Sequence, residues 1–130
     1  MSDTYALTQG RYYIGDPGLI IKKTVEGDQF IEQLWDVFYK DMHRFHQLNI
    51  KGITLFIMRT KSGDGMYGDI GTDTGTIMIM NLNQVKDDPR FYAKDSLNGC
   101  HYMDVDHAIS VRMDDYNLYF SNGYEVITNR

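Results

Sequence analysis

Apolar residues recur at intervals of three and four along residues 28–48, which is the spacing of one buried face of an α-helix. Asp28 suits a helix N-cap, and the polar residues fall on the opposite face. The pattern predicts one long amphipathic helix over residues 28–49. Its apolar face would comprise Phe30, Ile31, Leu34, Val37, Phe38, Met42, Phe45 and Leu48.

The rest of the chain has the pattern of short strands between turns. Residues 53–58 are apolar on both alternating faces, which is typical of a strand buried on both sides. Further strands are predicted at residues 11–14, 19–22, 66–69, 76–81, 100–106, 109–113, 118–120 and 124–128. Many short strands at close intervals favour a barrel. The predicted fold is α+β, an antiparallel β-barrel-like or strongly curled sheet with one long amphipathic helix, in a single domain over residues 1–130.

Composition narrows the class of protein. The only cysteine, Cys100, rules out an internal disulfide and a multi-cysteine zinc site, and a free thiol suits a reducing compartment. The first residues lack the pattern of a signal peptide, and no apolar run approaches the ~18 residues of a membrane span. The formal net charge of -5 disfavours nucleic acid, which needs a basic surface. We therefore predict a cytoplasmic protein without membrane contact.

Four aspartates lie in glycine-flanked turns, and their role has two interpretations. Aspartate in a turn commonly caps backbone N–H groups, and we expect this of Asp16 within the turn at residues 15–19. If the turns met in space, the carboxylates could instead hold a cation or a polar ligand. Tyrosine adds rigid contact area with a polar tip. The predicted binding residues are Asp16, Asp64, Tyr67, Asp69, Asp73 and Tyr102.

Catalytic and metal-binding patterns are weak. On one strand, Asp104 and Asp106 would face away from His101 and His107, so one ion could not use all four. Cys100 and His101 are adjacent and would point to opposite faces, which argues against a nucleophile–base pair. We therefore predict no catalytic residue, no metal site and no cofactor.

Three segments, residues 13–17, 62–69 and 73–77, together resemble a group of small proteins common in bacteriophages and other mobile elements. In that group a Y-x-I-G-D-P start is followed by G-D-G-x-Y-x-D and D-[ST]-G-x-I segments. The resemblance implies a small β-barrel-like fold and a phage-encoded protein in the host cytoplasm. This chain has Gly18 where a cysteine often follows the proline, and its tail beyond Asn81 is outside the resemblance.

The resemblance and the weak catalytic patterns together favour a non-catalytic accessory protein that binds and blocks a host or anti-phage defence component. Two alternatives stay open. One is a module that captures a small nucleotide-like ligand in a tyrosine-lined pocket, and the other is a small hydrolase that uses the clustered aspartates. Self-association into a homo-oligomer also stays open.

Overall fold

A computed structural model describes residues 3–92 and 99–129, and strands take up 45% and helices 17% of it. The helices are α1 (Pro17–Ile20) and α2 (Val25–Phe38), with a 3-10 turn at Leu82–Gln84. The strands are β1 (Asp3–Leu7), β2 (Gly10–Gly15), β3 (His46–Ile50), β4 (Ile53–Arg59), β5 (Gly65–Tyr67), β6 (Ile70–Thr72), β7 (Thr76–Asn81), β8 (His101–Val105), β9 (Ile109–Asp114), β10 (Asn117–Phe120) and β11 (Glu125–Ile127). The chain is therefore mostly β, and the predicted α+β class is wrong.

The strands form open antiparallel sheets. One sheet has five strands in the order β3-β4-β7-β2-β8, a second has four in the order β1-β9-β10-β11, and β5 and β6 form a separate hairpin. Among the described residues no pairing joins the edge strands of either large sheet, so the predicted barrel is also wrong. Each large sheet instead covers its apolar face by packing against another layer, which removes the need for closure.

Two hydrophobic cores lie on the two faces of the five-stranded sheet. On one face, side chains such as Ile14, Met58 and Ile79 pack against the four-stranded sheet through Val111 and Leu118. On the other face, side chains of the same sheet pack against Phe30, Leu34 and Phe38 of α2. This explains why β4 and β7 have few polar residues, as the pattern at residues 53–58 predicts.

The helix is shorter than predicted. It begins after Thr24, whose side chain accepts the N–H of Gly27, so Asp28 lies in the first turn rather than at the cap. It ends at Phe38, and the later apolar residues belong to other structure. Leu48 and Ile50 alternate on β3, which pairs with β4 across Lys51 and Gly52.

The turn between β3 and β4 explains the error. Lys51 and Gly52 have φ of 51° and 84°, the left-handed pair of a two-residue hairpin turn. The apolar residues of β3 alternate with period two. Their distance from those of α2 happens to fit the helical spacing, so the two elements were predicted as one helix.

The segment after Asp16 is also corrected. Residues 19–22 were predicted as a strand, but the first two of them end the single-turn helix α1. This helix has Pro17 at its first position and Asp16 as its N-cap. Proline has a fixed φ that suits this place in a helix. Only Ile21 makes a strand-like bridge, to Phe91. The glycine-containing residues 61–65 have the pattern of a hairpin loop. They instead connect β4 and β5, which lie in different sheets.

The described part of the chain contains no helix with the length and apolar content needed to cross a membrane.

Candidate functional site

Asp16 is a structural carboxylate that joins two parts of the chain. Its side chain accepts the N–H of Gly18 at 2.9 Å, the N–H of Asp73 at 2.6 Å and the hydroxyl of Thr74 at 3.1 Å. The residue is 2% exposed. The expected capping role is confirmed, and the carboxylate also fixes the loop between β6 and β7 against α1. Below, these contacts are called the Asp16 junction.

Asp69 forms a second junction, in the turn between β5 and β6. Its carboxylate accepts the Nδ1–H of His101 on β8 at 2.7 Å and the hydroxyl of Tyr124, before β11, at 2.8 Å. The rings of His101 and Tyr124 stack at 4.0 Å. One carboxylate thus links the hairpin to both large sheets, and these contacts are called the Asp69 junction.

The electrostatics of the Asp69 junction follow from its contacts. Partial burial raises the pKa of Asp69, but the hydrogen bonds from Tyr124 and His101 outweigh burial and hold that pKa below its usual value. Burial, followed by the hydrogen bond to Asp69, raises the pKa of the Tyr124 phenol. The carboxylate and the phenol therefore stay in their ordinary charge states at neutral pH.

The other predicted binding residues lie apart from one another. The Tyr67 ring is buried, and its hydroxyl donates to the carbonyl of Gly63 at 2.6 Å. Tyr102 packs edge-on against Tyr13, with the Arg11 guanidinium 5.0 Å above its ring centroid. Neither tyrosine is a lining residue of the pocket beside Asp16, so the structure does not bring them into that pocket with Asp16 and Asp73.

A pocket of about 420 Å³ lies beside the Asp16 junction. It brings Asp16 and Asp73 together, with Asp16 already holding three donors. Asp64 lines a different groove, and Asp69 lies in its own junction. Within residues 3–92 and 99–129, no three metal-ligating side chains gather into a possible ion site. The four turn aspartates therefore do not converge on one ligand.

A surface that the sequence patterns did not indicate lies where α2 ends. A groove of about 280 Å³ runs between the end of the helix and the end of β4. We call it the α2-end groove, and its lining includes Phe38, Tyr39, Met42, Arg59, Thr60 and Asp64.

Large apolar side chains stand exposed around this groove. Tyr39 is 62% exposed and Met42 36% exposed, and the Tyr39 ring stacks on Trp35 at 5.7 Å. Phe38 beneath them is buried. The helix ends here and the chain continues toward β3, and neither Tyr39 nor Met42 belongs to the two hydrophobic cores.

Two cations lie over one aromatic ring, and one of them, Arg59, lines the groove. The guanidinium of Arg59 and the ammonium of Lys61 lie 6.0 and 5.0 Å from the centroid of the Tyr116 ring. The Tyr116 hydroxyl is hydrogen-bonded to Nδ1 of His43 at 2.9 Å. Neither Arg59 nor Lys61 forms an ion pair with a carboxylate in the part of the chain that the structure describes.

Sequence reasoning could have found part of this surface. The turn at Asp115 and Tyr116 lies between two alternating strands, and such a position places its side chain at the edge of a sheet. Tyr39 and Met42 could not be found, because the predicted helix continued through them. The partners of Asp69, His101 and Tyr124, are 32 and 55 positions away, and no local pattern connects them.

Comparisons with protein-family models, with curated proteins and with solved structures find no match for this chain.

Proposed function

We propose that this chain is a non-catalytic accessory protein that binds a protein partner through the α2-end groove. The observation that carries this proposal is the exposure of Tyr39 and Met42 beside a groove that also holds Arg59. Aromatic residues, methionine and arginine are the types enriched in protein interfaces, and aromatic and arginine side chains dominate their binding energy.

The contacts of the polar residues support a binding role over catalysis. Asp16 is occupied by three donors, and Asp69 holds two side chains in place. Burial raises the pKa of the Cys100 thiol, which favours the unreactive protonated form. These groups stabilise the fold, whereas a catalytic base or nucleophile must be able to reach a substrate.

The resemblance to phage proteins extends the proposal to the partner and the compartment. On that basis the chain is phage-encoded, acts in the host cytoplasm and blocks a host or anti-phage defence component. Blocking by occupancy needs only a stable complex and no chemical step. Such a protein requires no cofactor.

A second candidate function is the capture of a small nucleotide-like ligand. The pocket beside Asp16 supports it, because about 420 Å³ lies within the usual range for small-ligand sites. Asp73 and the hydroxyl-bearing Thr72 could bind sugar hydroxyls there. The two aspartates would repel a phosphate, so this pocket suits the neutral part of such a ligand.

The test is a comparative capture experiment with immobilised wild-type chain and two variants. The double variant Tyr39→Ala/Met42→Ala removes the exposed apolar residues. Ile127→Ala is the control, because the exposed fraction of Ile127, 37%, is nearly the same as that of Met42, 36%. We expect a protein from bacterial host lysate to be retained by wild type and control and lost by the double variant. A partner retained by all three would contradict the proposed surface.

The second candidate is tested separately by thermal unfolding with nucleotides and nucleosides. A ligand that binds only the folded chain raises the melting temperature by mass action. A shift that disappears in Asp73→Ala would favour binding of a small ligand. In that case we expect Tyr39→Ala/Met42→Ala to retain the same lysate proteins as wild type.

A further inference from the structure

We infer that the α2-end groove binds an acidic segment of its partner that carries one large apolar side chain. The inference rests on the proposed function and specifies the chemistry of the partner. The apolar side chain would enter the groove between Tyr39 and Met42, and an acidic group beside it would contact Arg59 and Lys61.

The apolar half of the inference follows from the lining of the groove. Tyr39 and Met42 provide exposed apolar walls, and buried Phe38 lies beneath them. A volume of about 280 Å³ is enough for a single large side chain and too small for a folded element. Methionine adapts its shape to the group that contacts it, and tyrosine provides a rigid aromatic face.

The acidic half follows from charge. The whole chain has a formal net charge of -5, but Arg59 and Lys61 form a local pair of cations over one aromatic ring. Asp114 and Asp115, which precede Tyr116, contact Arg112 and Asn129 instead. An incoming carboxylate therefore meets two cations that form no ion pair with a carboxylate of the described residues, which favours an acidic partner.

The ring beneath the cations is held in an uncommon way. Tyr116 has φ of 63°, a left-handed conformation that is rare for a bulky residue. Its carbonyl accepts the hydroxyl of Thr128, and its own hydroxyl bonds to His43. Asp115 has φ of 49°, so the two residues form the left-handed pair of the hairpin turn between β9 and β10, and that turn places the aromatic ring over which both cations lie.

Asp64 gives the inference an internal test. Its carboxylate lines the same groove as Arg59 but carries the opposite charge. If the partner segment is acidic, Asp64 opposes binding while Arg59 and Lys61 favour it. Removing each charge should therefore change affinity in opposite directions, whereas purely apolar binding would respond to neither.

The experiment selects binders from a phage-displayed library of random 12-residue peptides on the immobilised wild-type chain. Enriched peptides are synthesised, and their dissociation constants are measured by calorimetry. We expect sequences with net negative charge and one aromatic or large aliphatic residue. The double variant Arg59→Gln/Lys61→Gln should weaken binding about tenfold, and Asp64→Asn should strengthen it about threefold. Lys86→Gln is the control and should change nothing, because Lys86 is neither a lining residue of the groove nor one of the two cations over Tyr116.

Any other result overturns the acidic segment, the proposed surface or both. Selected peptides that are neutral or basic, or affinities that change neither in Arg59→Gln/Lys61→Gln nor in Asp64→Asn, overturn the acidic segment. If those same peptides still lose binding to Tyr39→Ala/Met42→Ala, the proposed surface stands and only its charge preference fails. Peptides that bind this double variant as well as wild type overturn both. Concentration-dependent dimerisation abolished by Tyr39→Ala, measured by sedimentation, would show that a second copy occupies the groove and overturn the inference.

Discussion

The Asp16 and Asp69 junctions use the same residue type in the same kind of glycine-flanked turn, yet they differ in burial and in partners. Asp16 is 2% exposed and accepts two backbone N–H groups and one hydroxyl. The Asp69 side chain is 52% exposed and accepts from the side chains of His101 and Tyr124. Both hold the region around β5, β6 and the following loop against the rest of the molecule.

The comparison separates two ways in which a carboxylate can stabilise a fold. Donors left unpaired inside the protein lose a large desolvation energy, whereas donors that can reach water lose little. Asp16 is itself buried and accepts three hydrogen bonds at once, so its removal should cause the larger loss of stability. Asp69 competes with water, so its contribution should be smaller and should depend on pH.

The largest expected effect is that of Asp16→Ala. Without the carboxylate, the N–H groups of Gly18 and Asp73 lose their side-chain acceptor in a partly buried site. The hydroxyl of Thr74 loses one partner and keeps its contacts with Thr72 and Thr76. We expect a loss of about 2–4 kcal/mol in the free energy of unfolding, measured by urea titration. Asp73→Ala is the control, because it keeps its backbone N–H and should change stability by less than about 0.5 kcal/mol. Equal effects of the two variants would contradict the Asp16 junction.

Asp16→Asn should have an intermediate effect. Asparagine keeps one carbonyl oxygen as an acceptor, but its amide nitrogen cannot accept the N–H of Asp73 or Gly18. We expect a folded variant with a loss of about 1–2 kcal/mol in the same titration. A variant with full stability would mean that one oxygen is enough for all three donors.

Asp69→Asn should lose less, about 0.5–1 kcal/mol at neutral pH, because the side chain is half exposed. Its pH dependence is the sharper test. The pKa of Asp69 is lower in the folded chain than its usual value, so its contribution is present above about pH 4 and is lost as pH falls through the folded pKa. Wild type and Asp69→Asn should therefore converge in stability between about pH 5 and pH 2. A constant difference over that range would contradict an ionised Asp69 in the junction.

The smallest expected effect is that of Tyr124→Phe, about 0.5 kcal/mol, because the ring still stacks on His101 and only one hydrogen bond is lost. The raised pKa of Tyr124 makes its contribution present below about pH 10 and lost as the unfolded phenol ionises above that value. Thermal unfolding of wild type and variant at neutral pH and near pH 10.5 measures both effects. A loss as large as that of Asp16→Ala would remove the distinction between the junctions.

The sequence predicted best those elements whose pattern is local. The strand at residues 76–81 was predicted with its observed bounds, since a run of apolar residues between turns has few other solutions. The capping role of Asp16 was also predictable, because Asp before Pro and Gly defines a turn by itself. Its bond to Asp73 was not, because it depends on how distant loops pack.

The errors arose where two patterns overlapped. Residues 39–48 continued the apolar spacing of α2 and were predicted as helix, although β3 begins at His46. That extension concealed Tyr39 and Met42 as exposed groove residues. The number of strands does not show whether a sheet closes into a barrel. An open sheet covered by α2 and a closed barrel require a similar pattern of apolar and polar residues along each strand. The Asp69 junction joins three separate elements, and only the tertiary structure brings them together.

The pairing of β1 with β9 determines when the molecule can be completed during synthesis. Asp3 faces Met113 across this pair, so β1 must wait until a strand far along the chain has been synthesised. At about 5–20 residues per second, that wait is on the order of 5–20 seconds. A hairpin of β9 and β10 closes within about 10 μs once it emerges. The five-stranded sheet can therefore form around a nascent chain whose β1 is still exposed, and the four-stranded sheet is completed after it, when the new hairpin captures that strand.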